Sequence, residues 1–489
     1  MTPAAATRRG LPLRERRVVV MGLGLFGGGV AVARYLVREG ARVVVTDLRD
    51  AQALRESVEA LQDLPVTLRL GEHVESDFEA TDVVVANPAV RPDSPFLERA
   101  RRSGAQVTSE FELAVRACAA PIVAVTGTNG KSTTTSLVGE MLRRAGGKVW
   151  VGGNIGRSLL DVVDEIGPED RVVLEVSSYQ LEVLEAPDGF PRVAVVTNLT
   201  PDHLDRHRTM EAYGAAKARI LERQGPRDAA VLNAADPIVR GWKRAARGRV
   251  LGFGPLGEGE AGVAVARDHL AWRDGERERV LVRRENLRFR ERFNVANAAA
   301  AAAAALDLGA PLEAVAEALR EFEGLPHRLQ VLGECGGFRI VDNAVSTVPE
   351  STIEAIRAVD PPVVLVAGGR SKSLPLDGLV EAIAEGGVRE VFAYGEAAEA
   401  LAQAVRDRPG SPPISTYPAL APAVGAALRA SRPGDTLLYS PAFTSFDAYR
   451  NFLERGAEFR RLVGFAPSGS GSPEAPPAPT GCDEGTPPG

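Results

Sequence analysis

Residues 121–136 read PIVAVTGTNGKSTTTS, and the rest of the chain is parsed from this stretch. Ile122 to Val125 is a short apolar run that reads as a buried strand. A tight turn through Gly127, Asn129 and Gly130 follows, and Lys131-Ser132-Thr133 leads into the helical pattern SLVGEMLRRAGG. A strand, a glycine turn and a helix N-terminus form an anion cradle, because free backbone N–H groups and the helix dipole converge on one spot. Lys131 adds a full positive charge, and the Ser132 hydroxyl can reach a metal on a bound phosphate. The strict phosphate-loop pattern has glycine where Val125 stands, so this is a shortened variant. A glycine turn closed by a hydroxyl cap would leave Lys131 without a task. The reading is a triphosphate site.

Upstream, residues 17–49 give a strand, Gly22-x-Gly24-x-x-Gly27, a helix, a second strand and Asp47 at its end. This is the context of a dinucleotide-binding fingerprint. A βαβ unit holding some other phosphate-bearing ligand fits equally well. A second such unit follows, with strands at 66–70 and 82–86, the run Asn87-Pro88-Ala89-Val90, a helix over 94–102 and a strand over 105–108.

Downstream, strands are expected at 148–151, 171–176 and 193–198. Glu175 stands near the carboxyl end of a Val/Leu strand, where a carboxylate is costly to bury unless paired or metal-bound. His203 lies just past the next strand, in the run Leu199-Thr200-Pro201-Asp202-His203-Leu204-Asp205. Both are candidate metal ligands of one crevice. Lys217 falls in a helical pattern, YGAAKARIL, and by pattern alone is a solvated helix lysine. Asn294 and Asn297 open a long alanine helix and share one face of its first turn, with Asn294 also a candidate N-cap. From 326 onward strand–loop–helix repeats, and three loops carry Asp342 with Asn343, Ser371 with Lys372, and Ser440 with Ser445. Converging loops of this type build a site.

The expected organisation is a tail at 1–16, domains at 17–118, 119–325 and 326–466, and a Pro/Gly/Ser-rich disordered tail at 467–489. The fold class is α/β in three domains: a Rossmann-like N-terminal domain, a central P-loop ATPase-like, mostly parallel sheet and a Rossmann-like C-terminal domain. A net charge of −6 argues against nucleic-acid binding as the main task. No signal peptide and no membrane-spanning run are found, so a cytoplasmic protein is expected. Cys118, Cys335 and Cys482 are scattered without a metal or disulfide framework, which suits a reducing compartment. Of 58 basic residues only five are lysine. A site that keeps Lys therefore needs a point charge or a titratable amine, which marks Lys131, Lys217 and Lys372.

No protein nucleophile stands out; a protein of this kind can use the nucleotide to activate a substrate's own carboxylate for attack by an amine. Thr126–Thr133, Gly153–Gly156, Glu175–Leu181, Asn198–Asp205 and Leu325–Arg328, with the glycine loop at Gly22 and the run Ser440 to Phe452, together resemble the Mur ligases over about residues 17–465. Within that family the likeness is greatest to the glutamate-adding type. The resemblance implies ATP-dependent ligation of glutamate, taken as the D enantiomer, to UDP-MurNAc-L-Ala in peptidoglycan precursor synthesis, by a monomer using ATP and two Mg²⁺ ions.

By the same resemblance Gly127, Thr128, Asn129, Gly130, Lys131, Ser132, Thr133, Asn294, Asn297, Arg328 and Asp342 serve ATP. Ser132, Glu175, His203 and a carbamylated Lys217 hold metal, and Asn154 contacts the acyl-phosphate region. Gly24, Leu25, Phe26, Asp47, Arg49, Asn87 and Pro88 hold the UDP precursor, which would assign the Gly22 loop to UDP rather than NAD. Ser346, Lys372, Ser445 and Phe452 take the amino acid. Two departures stand out: Ala344 replaces a family lysine in Asp342–Thr347, and Asn87-Pro88-Ala89-Val90 replaces the usual S-P-G-I. Both leave the donor open between D- and L-glutamate. A folylpolyglutamate-synthase-like ligase and an NAD-dependent oxidoreductase are the rivals.

Overall fold

The computed structural model describes residues 11–25, 27–154, 158–275, 277–289, 292–371 and 375–465. Phe26, Lys372 and the tail from 467, each singled out from the sequence, lie outside the described residues. The chain is α/β, with three mostly parallel sheets. It divides into two compact units, one ending at Phe322 and one beginning at Glu323.

The first sheet has five parallel strands in the order Val66–Leu70, Arg42–Asp47, Arg17–Met21, Val83–Ala86, Gln106–Ser109. Period-two alternation sends Val18 and Val20 into one core and Val19 and Met21 into the core on the other face. Strand order reverses between Arg17–Met21 and Val83–Ala86. Gly22 and Asn87, the residues that follow those two strands, therefore open on the switch-point crevice.

The second sheet belongs to the same unit and shares a core cluster with the first. Its parallel part runs Val149–Gly153, Arg171–Glu175, Ile122–Thr126, Val193–Val196, Ala229–Asn233, Arg249–Gly254, Gly262–Val265. Two antiparallel strands, His269–Asp274 and Arg277–Arg283, extend it. Ile122–Thr126 is flanked by Arg171–Glu175 and Val193–Val196, so the loops after these three strands meet at one end. Helix Lys131–Arg144 packs on this sheet and against helix Arg292–Asp307, whose residues Ala298 to Ala305 are all fully buried. Eight alanines bury little area each, but they favour the helix and let its backbone approach closely. That helix starts at Arg292, which places Asn294 inside the first turn rather than at the cap.

The second unit holds six strands in the order Gln330–Cys335, Phe338–Asp342, Thr436–Ala442, Val363–Gly368, Val388–Tyr394, Ile414–Tyr417, parallel except for the first. Ser440 lies within Thr436–Ala442, not in the loop after it. The Cys118 thiol donates to Ala120 O at 3.6 Å. Among the described residues no helix is long and apolar enough to cross a membrane.

Candidate active site

Strand Ile122–Thr126 is buried throughout, and the chain turns at Gly127 where it leaves the sheet. A Cβ at Gly127 would lie 1.9 Å from Thr197 Oγ1, and one at Gly130 would lie 2.1 Å from Asn297 Oδ1. Both glycines also have positive φ, so no other residue suits either position. Asn198 pins the turn from the neighbouring strand end: its Oδ1 accepts from Asn129 N at 2.9 Å and its Nδ2 donates to Asn129 O at 3.0 Å. The Thr197 hydroxyl donates to Asn129 O at 2.6 Å. Lys131 folds back over the loop and donates to the carbonyls of Thr128 at 2.6 Å and Gly127 at 3.1 Å.

Beside this loop Glu175 is buried, and both its oxygens are engaged. Oε2 accepts from Ser132 Oγ at 2.5 Å and Oε1 accepts from Asn154 Nδ2 at 3.0 Å. Lys217 is 1% exposed, and its Nζ donates to Gly127 O at 2.8 Å while lying 4.6 Å from the centre of the Tyr213 ring. Burial, with the Lys131 charge second, pushes the Lys217 ammonium down to about 6; Asp202 and Glu175 act the other way but do not offset it. The Tyr213 hydroxyl sits 3.2 Å from Thr128 Oγ1. Its burial holds the phenol protonated far above neutral pH. His203 is exposed, at a left-handed φ of 53°, with Nδ1 3.1 Å from the Tyr179 hydroxyl.

At the first sheet's crevice, Asp47 accepts from Gly24 N at 3.1 Å and from Arg49 N at 2.9 Å, which fixes the glycine loop to the second strand's end. Asn87 packs on Gly22, whose added Cβ would meet Asn87 Cβ at 2.7 Å. Leu25, Arg49 and Pro88 are exposed around this crevice. Arg206 ties the two loop systems of the unit together. It donates to Pro88 O at 3.1 Å and Glu182 Oε2 at 3.0 Å, and lies 4.2 Å above the Tyr179 ring.

In the second unit, Asp342 is fully buried and its Oδ2 pairs with His327 Nδ1 at 2.7 Å and Arg460 Nε at 2.8 Å. Arg328 is half-buried between His327 and Leu329, both at positive φ. Ser346 is fully buried, with Oγ 2.7 Å from Thr352 Oγ1, which in turn lies 2.8 Å from Ser440 Oγ. Ser445 is buried, and its carbonyl accepts from Tyr449 N at 2.8 Å. Phe452 is half-buried at the start of helix Phe452–Leu462.

The first unit thus brings Gly127 to Thr133, Asn154, Glu175, Lys217 and Asn297 together around one loop. Tyr213 and Thr197 were not singled out from the sequence. Tyr213 stands four residues before Lys217 on one helix, and that spacing is the signal that could have found it. Chemically, the arrangement offers backbone amides and a cation for phosphates, and hydroxyl and carboxylate oxygens beside an amine held near neutrality.

Family models match three segments. They are a Mur ligase MurD-like N-terminal domain over residues 16–109, a Mur ligase middle domain over 125–305 and a Mur ligase glutamate ligase domain over 327–443. A curated UDP-N-acetylmuramoylalanine--D-glutamate ligase of Roseiflexus sp. (strain RS-1) is 41% identical over 462 residues, 93% of this chain and 99% of that protein. The like-named protein of Symbiobacterium thermophilum is 40% identical over 456 residues, with the same shares. Among solved structures, a pseudomurein peptide ligase type C from Methanothermus fervidus aligns with a TM-score of 0.53 at 19% identity, over 92% of this chain and all of that one. The UDP-N-acetylmuramate-alanine ligase MurC of Thermotoga maritima gives 0.51 at 19% identity, over 92% and 99%. At such identities the structural likeness speaks for the fold alone.

Proposed function

We infer that this chain, which belongs to the Mur ligase family, is the ATP-dependent ligase that joins D-glutamate to UDP-N-acetylmuramoyl-L-alanine in peptidoglycan synthesis. The γ-phosphoryl group passes from ATP to the alanyl carboxylate, giving an acyl phosphate and ADP. The glutamate amine then attacks the acyl carbon, the amide forms, and phosphate and a proton leave. The chain acts as a monomer in the cytoplasm.

The observation that carries this reading is the pair of lysines on one carbonyl, Lys131 and Lys217 on Gly127 O, next to the Ser132–Glu175 hydrogen bond. On this reading the amides from Gly127 to Thr133 and the Lys131 charge hold the triphosphate, and Asn294 and Asn297 meet the nucleoside end. Arg328 and Asp342, in the second unit, are assigned to ATP by the family resemblance alone. The oxygen donors of Ser132 and Glu175, with the His203 imidazole, suit a hard divalent cation, and a carbamate on Lys217 would add a further carboxylate. Magnesium bound to these donors would supply neutralisation of phosphate charge. Lys217, neutral for much of the time at pH 7 and buried, is an amine that can take up CO₂; an arginine could not. Asn154 orients Glu175 and faces the acyl-phosphate region. Gly24, Leu25, Phe26, Asp47, Arg49, Asn87 and Pro88 hold the UDP precursor, and Ser346, Lys372, Ser445 and Phe452 the glutamate. UDP is thus assigned to the first domain, 17–118, ATP and magnesium to the second, 119–325, and glutamate to the third, 326–466.

The deciding experiment is phosphate release from ATP-magnesium with UDP-N-acetylmuramoyl-L-alanine, with and without each glutamate enantiomer. Release that requires the precursor and D-glutamate is expected. Release that ignores the amino acid would remove the ligase reading, and equal use of L-glutamate would remove the stereochemical part.

A further inference from the structure

Arg455, on helix Phe452–Leu462, is completely buried and is among the largest fully buried side chains of the protein. Its Nη1 donates to Phe443 O at 2.8 Å and Gly368 O at 3.5 Å, and its Nη2 to Ala344 O at 3.3 Å and Ser346 O at 3.4 Å. Those carbonyls end, or closely follow, three adjacent strands: Phe338–Asp342, Thr436–Ala442 and Val363–Gly368. All four acceptors are neutral, and Nε is buried without an acceptor. Arg460 on the same helix has Asp342 as its counter-ion at 2.8 Å. Arg455 has no carboxylate partner among the described residues.

A clamp on four carbonyl groups does not need a charge. A neutral amide could donate to them without the cost of burying a cation. The carbonyl oxygens accept from Nη1 and Nη2 but do not cancel the guanidinium's charge, so a positive field persists at these strand ends, where open α/β sheets bind ligands. Of the carboxylates nearby, Asp342 is already matched by Arg460 and His327. Asp447, which flanks Gly395, is exposed and screened by solvent.

We propose that Arg455 is the specificity-determining positioning residue of the second unit: it fixes the backbone at Ala344, Ser346, Gly368 and Phe443 from beneath and makes the crevice at these strand ends select an amino acid with an acidic side chain. This rests on the assignment of the amino-acid site to that unit. Arg455 does not touch the donor; it acts through the backbone of Ala344, Ser346, Gly368 and Phe443.

The test uses the full chain with Arg455→Met, which keeps bulk without charge, and Arg455→Lys, which keeps charge without the fork. Folding is checked by circular dichroism and thermal midpoint. In Arg455→Met the KM for D-glutamate should rise tenfold or more, and the preference for D-glutamate over D-glutamine should narrow. The KM values for ATP and the precursor should stay within twofold, and Arg455→Lys should recover most of the preference. A folded Arg455→Met with an unchanged glutamate KM, or with all three KM values raised together, overturns the proposal. If the variants do not fold, side-chain ¹⁵N NMR of the wild-type chain decides. D-Glutamate, and not D-glutamine, should shift the Arg455 guanidinium resonances to saturation, and no shift overturns the proposal. Wild-type phosphate release that ignores D-glutamate would overturn the functional reading itself, and this proposal with it.

Discussion

The side-chain nitrogens of Lys131 and Lys217 share one acceptor, the carbonyl oxygen of Gly127, at 3.1 and 2.8 Å. Lys131 is half-exposed at the helix N-terminus, whereas Lys217 is buried beneath the loop. One carbonyl cannot stabilise two cations in a dry site, and the more deeply buried amine gives up its proton. The loop thus keeps one fixed charge for phosphate and one neutral amine for chemistry.

A pH dependence of stability follows, and it has a definite sign. The folded-state pKa of Lys217 is about 6, well below that of an unfolded lysine. Below pH 6 the ammonium is buried in charged form and the full penalty is present. Between that point and roughly pH 10.4 the unfolded chain binds a proton the folded chain lacks, so stability rises by up to about 1.4 kcal/mol per pH unit from this group. In CO₂-free, magnesium-free buffer the thermal midpoint of Lys217→Met should exceed that of the wild type near pH 6, and the gap should shrink towards pH 9.5. A gap that does not vary with pH would show that Lys217 keeps its proton.

If Lys217 works as a carbamate, its loss can be replaced from solution. Lys217→Ala should lower phosphate release by roughly two orders of magnitude or more, in the range of a lost electrostatic group at a reacting phosphoryl. The cavity left beside Gly127 and Tyr213 should admit acetate or formate, with partial recovery that saturates in the added acid. Full activity in the variant, with nothing left for a carboxylate to restore, would remove Lys217 from the mechanism.

Ser132 and Glu175 make a separable prediction. Ser132→Ala leaves Glu175 Oε2 buried without its hydroxyl donor. Removing a group that merely orients a metal ligand costs about 10- to 100-fold in affinity, and losing Ser132, itself a proposed oxygen donor, should cost at least as much. The magnesium concentration for half-maximal phosphate release should therefore rise by at least that factor, while the KM for D-glutamate stays put. An unchanged magnesium titration would show that this pair is structural only.

Much of this was legible before any coordinates, for physical reasons. The all-buried strand Ile122–Thr126 announces itself as an apolar run, and the glycine turn and Lys131 declare a phosphate site by residue type. The Gly22 loop was legible as a phosphate turn but not as to its ligand, because the geometry that tethers Gly24 to Asp47 suits either a dinucleotide or UDP. Lys217 was misleading by pattern: a lysine on a helix reads as solvated, and the Gly127 loop, brought in by the fold, covers it beside Tyr213 of its own helix. Strand Arg277–Arg283 buries only Leu281 and Val282, too few to show a period. Arg455 and the Asp342–Arg460 pair join positions about a hundred residues apart, beyond the reach of local pattern.

Gly130 offers the sharpest test of the loop's geometry. Its φ is +82°, and a methyl group there would lie 2.1 Å from Asn297 Oδ1. Asn297 is 5% exposed on the helix packed behind the loop, so it has little room to retreat. Gly130→Ala should cost about 1–3 kcal/mol from the left-handed backbone alone, with the displaced amide adding to it. The same displacement moves the amides that would face a phosphate, so the KM for ATP should rise well beyond tenfold. Gly130→Ala combined with Asn297→Gly removes the collision but not the backbone strain. In the double variant the thermal midpoint should recover in part, with ATP affinity still below the wild type. A double variant no more stable than Gly130→Ala would mean that Asn297 does not limit the loop, and that the strain at residue 130 is set by backbone conformation alone.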